Sequence, residues 1–150
     1  MKKFKFKLEK LLNAKMVIEN LKKEELFKAK KRLEEERYVL DYLEGIKGEI
    51  LLQSTSRQVD SIKAYELINL DNFYRKLSEL TYKQRKKVEE AQRMYDCALN
   101  EFLNAKRERR ILEILKEKRF KLFLEEYGKQ AQKNLDEHAI IVFSRRDESN

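Results

Sequence analysis

The sequence predicts an all-α fold, a long antiparallel two-helix coiled coil in which one chain forms a helical hairpin. Ala, Glu, Lys, Leu and Arg supply 85 of the 150 residues, and Pro and Trp are absent. Charged residues make up 41% of the chain, which leaves apolar residues for a stripe along each helix but too few for a thick core. Three glycines cannot provide the turns of a β-sandwich or barrel, or a phosphate-binding loop. Sheet architectures and P-loop enzymes are therefore excluded.

The first helix is predicted over residues 3–53, because apolar residues recur there every seven positions. Two such series form one apolar stripe: Leu12, Leu26, Leu33 and Leu40, with Leu8, Ala29, Leu43 and Ile50. Gly45 and Gly48 lie inside this helix, where each costs roughly 1 kcal/mol relative to Ala. They mark either a weak point near the helix end or a place where another chain approaches closely.

The second helix is predicted over residues 59–140, followed by a frayed tail at 141–150. Its apolar stripe runs through one set of residues and then shifts by one position to a second set: Leu70, Phe73, Leu77 and Leu80, then Val88, Ala91, Tyr95, Ala98, Phe102 and Ala105. Such a shift predicts a local change of supercoil. Because small and aromatic residues alternate in the second set, this half is expected to make the closest contact with the first helix.

The chain, taken as one coiled-coil domain over residues 1–150, is expected to reverse at residues 54–58. Small hydroxyl residues cluster there, and Thr55 and Gln58 have the spacing of a capping box. A turn at this point predicts that facing residues have position numbers that add to about 113, which is arithmetic on an antiparallel pair of straight helices. That sum places Leu33 opposite Leu80.

A rival turn at residues 69–72 would set Leu33 against Arg109 or Arg110, and burying an unpaired guanidinium is costly. The earlier turn is therefore preferred. It leaves residues from about 106 onward without a facing helix, although this stretch is rich in Ile, Leu and Phe. An exposed apolar surface of this kind indicates a binding partner.

No catalytic site, metal site or cofactor is expected in this chain. A two-helix coiled coil offers no pocket that excludes water, and one cysteine and one histidine cannot build a zinc site. His138 is interpreted as a surface residue, and Cys97 as an incidental or structural thiol of a reduced, cytoplasmic protein. No stretch reaches the roughly 18 apolar residues of a transmembrane helix. No small-molecule substrate follows from the pattern.

The net charge of +8 is concentrated in two segments. Residues 1–10 hold five Lys and one Glu, and residues 106–121 hold eight Lys or Arg and three Glu. The predicted hairpin brings both segments to its open end, where the charge suits an acidic protein socket. Nucleic acid is the less favoured partner, because no recognition motif or aromatic stacking surface accompanies the basic residues.

Three stretches of the chain resemble the FliJ family of flagellar export proteins. They are residues 1–12, MKKFKFKLEKLL, residues 105–113, AKRERRILE, and residues 132–137, QKNLDE, which Ala139 and Phe143 follow. Their order and spacing extend the resemblance over the whole length of the chain.

This resemblance implies a non-enzymatic component of the flagellar type III export apparatus, peripheral at the cytoplasmic face of the membrane. Its hairpin would be similar to the stalk of rotary ATPases. The implied partners are the hexameric export ATPase, which receives the open end, the cytoplasmic domain of the export gate protein FlhA, and export chaperones. The alternative hypothesis is a basic coiled-coil adaptor or nucleic-acid-binding protein.

Two sets of binding residues are expected. The charge count and the neighbouring apolar residues assign the ATPase-binding end to Lys3, Lys5, Lys7, Arg107, Arg109, Arg110, Ile111, Leu112 and Leu115. The resemblance implies a gate-contacting stripe at Phe73, Leu77, Leu80 and Gln84 on the second helix, with Val39, Leu43, Ile46 and Ile50 on the first. A coiled-coil core and a binding stripe compete for the positions of this second set.

Overall fold

The computed structural model describes residues 3–56 and 64–147, which form two long helices in contact. Helix α1 spans Glu9–Ser56 and helix α2 spans Ala64–Asp147, with no strand in the described ranges. The prediction of an all-α helical hairpin is confirmed. Contacts between residues divide the chain into two units. Unit 1 comprises Met1–Ile18 and Ala105–Asn150, and unit 2 comprises Glu19–Asn104.

The chain enters α1 through a short non-helical segment, so the prediction of a helix from residue 3 is wrong. Residues 3–8 are not helical, and Phe6 within them is buried. The backbone amide of Glu9 donates a hydrogen bond to the carbonyl of Phe6 at 3.2 Å. Lys and apolar residues alternate here with a period of two, which favours an extended chain with one inward face rather than a helix.

The prediction of a turn at 54–58 is wrong for residues 54–56. Residues 54–56 belong to α1, and the rest of that turn, Gln58 of the capping box included, lies outside the described residues. The rival turn at 69–72 is wrong, since those residues lie within α2. At the other end α2 continues to Asp147, so the helix covers most of the tail that was expected to fray.

The apolar stripe of α1 is confirmed by burial. Leu12 and Leu33 are buried, and the other members of the two series are half-buried. The stripe also contains charged residues at the same heptad positions, namely Lys15, Glu19, Lys22 and Glu36, all half-buried.

The stripe of α2 follows a single course, and the predicted one-position shift is wrong. Phe73 and Leu80 are 50% and 51% exposed, whereas Thr81 is 2% and Gln84 is 6% exposed. Positions spaced alternately four and three residues apart face inward without interruption from Leu70 to Ala105. The shift followed from requiring every inward residue to be apolar, and the protein instead accepts two polar ones.

The register of unit 2 differs from the predicted one by about eleven residues. Lys22 Nζ donates to Glu101 Oε2 at 2.8 Å, and Arg32 contacts Met94 Sδ at 3.6 Å. The position numbers of these pairs add to 123 and 126, so the predicted sum of 113, and the facing of Leu33 with Leu80, are wrong. Eleven residues make just over three helical turns, so both registers bring the same stripes together.

Unit 1 has a register of the same kind. Lys15 Nζ donates to Glu108 Oε2 at 2.6 Å, and Lys116 Nζ donates to Glu9 Oε1 at 2.9 Å. In the segment that precedes α1, the ring of Phe4 contacts the ring of Phe120, with the two centroids 5.2 Å apart. Residues from 106 to about 123 therefore have facing residues, contrary to expectation. All described side chains from 124 to 146 are exposed.

Candidate protein-interaction surfaces

The N-terminal lysines belong to a basic surface of unit 1. Lys3, Lys5 and Lys7 are exposed and alternate with inward-facing Phe4 and Phe6. The Phe4 ring lies 5.2 Å from the Phe120 ring and 5.6 Å from the Phe123 ring, measured between centroids. This aromatic contact holds the N-terminal segment against the basic stretch 116–121 of α2.

That stretch contributes three cations that lie outside the predicted set of site residues. Lys118, Arg119 and Lys121 are exposed and, among the described residues, have no acidic partner. Together with Lys3, Lys5 and Lys7 they form what we call the basic surface. The N-terminal lysines lie beside residues 118–121 because the observed register of unit 1 places the N-terminal segment near the end of the 106–121 cluster.

The three arginines of the expected ATPase-binding end differ in their ion pairing. Arg107 is exposed, with no ion pair in the described part of the chain. Arg109 donates to Glu113, and Arg110 Nη1 donates to the other carboxylate oxygen of Glu113 at 3.1 Å. The hydrogen bonds from Arg110 and Arg109 lower the pKa of Glu113. Part of the positive charge at 109–110 is thus neutralised within α2.

The apolar residues expected beside these arginines differ in their exposure to solvent. Ile111 is exposed, whereas Leu112 and Leu115 are half-buried between the helices of unit 1. Ile114 and Phe120, which lie outside the predicted set of site residues, are exposed. Together with Leu122, they are exposed apolar side chains beside or within the basic stretch.

The stripe expected to contact the export gate is split between core and surface. Leu77 and Gln84 are buried, and Phe73 and Leu80 are exposed. Gln84 Nε2 donates to the Glu36 carbonyl at 2.9 Å and to Glu36 Oε2 at 2.5 Å, and Thr81 Oγ1 donates to the Leu77 carbonyl at 2.7 Å. Two polar side chains therefore fill interface positions and leave the larger apolar residues outside.

On α1 the corresponding residues lie along the interface. Leu43, Ile46 and Ile50 are half-buried, and Val39 is 42% exposed. Arg32 contacts Met94, which identifies one side of the helix pair. One and two heptads further along α1, the same side carries Val39 and Ile46, and two and three heptads back along α2 it carries Leu80 and Phe73. Phe73, Leu80, Val39 and Ile46 thus share one side of unit 2, which we call the apolar side.

Charged residues at and beside the inward positions of unit 2 make contacts across the helices. Lys22 hydrogen-bonds to Glu101 and Glu25, which raises the pKa of its ammonium group, and the bond from Lys22 lowers the pKa of Glu101. Arg37 Nη2 donates to Gln92 Oε1 at 2.6 Å, and Arg85 Nη2 donates to Glu44 Oε1 at 2.8 Å. The contacts of Arg37 and Arg85 link α1 and α2 on the side opposite the apolar side, whereas Glu101 lies one heptad beyond Met94 and so belongs to the apolar side.

The most chemically reactive side chains of the described chain lie at its surface. His138 and Cys97 are both exposed, and the Cys97 thiol lies 3.9 Å from Glu101 Oε1. In the described ranges, His, Cys, Asp and Glu form no group of three that could hold a metal ion. Neither helix, as far as it is described, contains a stretch long and apolar enough to cross a membrane.

Comparisons with known proteins identify the family. The family model described as "Flagellar FliJ protein" matches residues 4–148 of this chain. No curated protein and no solved structure matches it. The match covers nearly the whole chain, including both helices and the aromatic N-terminal segment. The protein therefore belongs to the FliJ family and is a non-enzymatic component of the flagellar export apparatus.

Proposed function

We propose that this protein is the stalk of the export apparatus, peripheral at the cytoplasmic face of the membrane. Its basic surface inserts into the hexameric export ATPase, and the apolar side of unit 2 contacts the cytoplasmic domain of the gate protein FlhA. The family resemblance supports this pair of partners and, in addition, the escort of export chaperones.

The basic surface carries the ATPase part of the proposal. Two segments more than 100 residues apart in sequence are joined by the contacts of Phe4 with Phe120 and Phe123. Six cations, Lys3, Lys5, Lys7, Lys118, Arg119 and Lys121, are exposed there without acidic partners in the described chain. Concentrated like charge destabilises a folded protein unless a partner of opposite charge receives it. An acidic socket in the ATPase is such a partner.

The test is a binding measurement between the full chain and the purified ATPase. Lys118→Glu, Arg119→Glu and Lys121→Glu together should weaken binding by at least about tenfold, mainly through slower association, and added salt should weaken wild-type binding in the same way. The control is Lys83→Glu, Lys87→Glu and Arg93→Glu, three exposed cations of unit 2 whose reversal changes the net charge equally.

Equal losses in both triple variants would show that net charge alone governs binding and would refute the site. Unchanged binding of the first variant would show that the ATPase contacts another part of this chain. Arg107→Glu tests the original assignment separately, because it removes a cation that has no ion pair in the described chain. Binding of RNA instead of the ATPase would favour the alternative hypothesis of a nucleic-acid-binding coiled coil.

The proposed contact with the export gate is restricted to the exposed residues of the α2 stripe, Phe73 and Leu80. Leu77 and Gln84 are buried against α1, so a partner could touch them only if the helices separated. Replacing Phe73 and Leu80 with Ala should weaken binding to the FlhA cytoplasmic domain while helicity and ATPase binding stay near wild type. The matched control is Tyr38→Ala with Tyr42→Ala, two exposed aromatic residues of unit 2 outside the apolar side. Equal loss in the control would refute the assignment.

A further inference from the structure

Unit 2 contains an apolar groove that the proposed partners do not use. Leu26 and Phe27 of α1 and Tyr95 and Phe102 of α2 line it, and its volume is about 640 Å³. Phe27 is 70% exposed, so the groove is open to solvent and cannot enclose a small ligand as closed pockets do. It suits the side chains of a helix laid along it.

Charges at the groove select the sign of what it binds. Lys23, Lys28 and Lys30 stand at its rim with one carboxylate, Glu24. None of the three lysines has an ion pair in the described ranges. Lys23 and Lys30 are one heptad apart, which separates them by about 10 Å along α1. The groove therefore favours a helix with apolar side chains and about two negative charges.

A segment of this kind is present in the same chain. Residues 134–144 of α2 contain Asp136 and Glu137 and no Lys or Arg. From Ala139 to Phe143 the helix is apolar on all sides, and Leu135, Ile140, Ile141, Val142 and Phe143 are all exposed. A helix that is apolar all round is normally buried against another surface.

We propose that the groove of one copy binds residues 134–144 of a second copy. The net charges are matched, +2 at the groove rim and −2 in the segment. The five residues 139–143 span about 6 Å of helix, which fits between Tyr95 and Phe102, seven residues apart. Both Tyr95 and Phe102 belong to α2 themselves, and a helix cannot dock on itself, so the segment comes from another molecule.

The contact is small, so the association is weak and depends on concentration. One helix segment of eleven residues buries less surface than a stable protein interface, which needs roughly 1,200–2,000 Å² in total. Each copy has one groove and one segment, and two copies that exchange segments close the assembly as a symmetric dimer. The dimer should dissociate as salt rises, because the lysines and carboxylates are at exposed positions.

Sedimentation velocity of the full chain over a range of concentrations measures this association. Lys23→Glu with Lys30→Glu should raise the dimer dissociation constant by at least about tenfold, and Asp136→Lys with Glu137→Lys should do the same. All four residues are exposed, and circular dichroism checks that helicity is unchanged. Lys83→Glu with Lys87→Glu is the control for net charge and should leave association unaltered.

Mixing the two double variants makes the decisive measurement. The reversed groove of one complements the reversed segment of the other, and their two wild-type halves also complement each other, so the mixture should associate although neither variant does alone. A chain that is monomeric at every concentration would overturn the proposal. Dimers unaffected by either variant, or a mixture that stays monomeric, would overturn it too.

Discussion

Two stretches of the same α2 stripe, residues 77–84 and residues 91–105, bury different kinds of side chain. The second stretch alternates small and aromatic residues facing α1, as its sequence predicts, with Ala91 and Ala105 buried. The first stretch buries Leu77, Thr81 and Gln84 and leaves Phe73 and Leu80 half exposed beside it. One heptad pattern thus serves an apolar interface and a polar one.

The difference indicates how a two-helix protein combines stability with recognition. A coiled coil has no separate core in which to hide its apolar residues, so each large side chain is either in the interface or available to a partner. Where Thr81 and Gln84 satisfy their hydrogen bonds within the helix pair, Phe73 and Leu80 become available. Where Ala91, Tyr95 and Ala98 face inward, the interface itself is stabilised.

The largest expected effect compares Leu33 with Leu43 on α1. In the observed register Leu33 faces the apolar stretch and Leu43 faces the polar one. Leu33→Ala should lower the free energy of unfolding by about 2–4 kcal/mol, because a buried leucine is lost together with its packing. Leu43→Ala, at a half-buried position, should cost less. Denaturant titrations measure the free energy of unfolding of both variants. Equal losses of stability would contradict the distinction between the apolar and the polar stretch.

The register itself can be tested with engineered disulfides in a Cys97→Ser background. Leu26→Cys with Ala98→Cys, whose position numbers add to 124, should form a crosslink within one chain on oxidation. Leu33→Cys with Leu80→Cys, which add to 113, should not. Non-reducing gel electrophoresis separates the two outcomes, and a crosslink of the second pair alone would restore the register predicted from the apolar residues.

A smaller effect is expected at Gln84, which distinguishes the two stretches most directly. Gln84→Ala removes the donor to the Glu36 carbonyl and carboxylate and should cost about 1 kcal/mol. Gln84→Leu makes the polar stretch apolar, and its stability should equal or exceed that of the wild type. If Gln84→Leu is instead less stable than the wild type, the hydrogen bonds of Gln84 contribute more than the packing that leucine adds. Thermal unfolding followed by circular dichroism makes the comparison.

The smallest effect is the pH dependence of the ion pairs. Lys22 lowers the pKa of Glu101, so the folded state binds this proton less readily than the unfolded chain. The stabilisation is present above the usual carboxyl pKa of about 4.3 and is lost as the pH falls through the lowered value. Glu101→Gln should therefore reduce the loss of thermal stability between pH 7 and about pH 3 slightly. Glu137→Gln, at a carboxylate with no ion pair in the described chain, is the control.

The residues proposed to bind the ATPase were predictable as a composition but not as a surface. Counting charges along the chain located both basic segments, and the N-terminal lysines are exposed as expected. The count could not reveal that Glu113 neutralises part of Arg109 and Arg110, or that Phe4 brings the lysines beside residues 116–121. The alternation of Lys with Phe and Leu at residues 3–8 was the available signal for that extended segment.

The gate stripe illustrates a different kind of limit. The family resemblance implied that four residues share one face of α2. In the structure, Leu77 and Gln84 face α1, whereas Phe73 and Leu80 lie beside that face and are exposed. Leu80 and Thr81 are neighbours in sequence, and their hydropathy favours burying Leu80. Thr81 is buried instead, because it continues the alternating spacing of four and three and bonds to its own helix.

The sequence by itself determined that this chain forms two long helices with complementary stripes, because heptad spacing and the absence of proline are local properties. It also determined where the charge is concentrated. Only the tertiary structure decided the register, since stripes of this period match again after eleven residues, and the choice depends on contacts such as Lys22 with Glu101 and Gln84 with Glu36. The register in turn decided which side chains face solvent. The surfaces assigned to partners therefore follow from polar contacts between the helices, which a pattern of apolar residues does not contain.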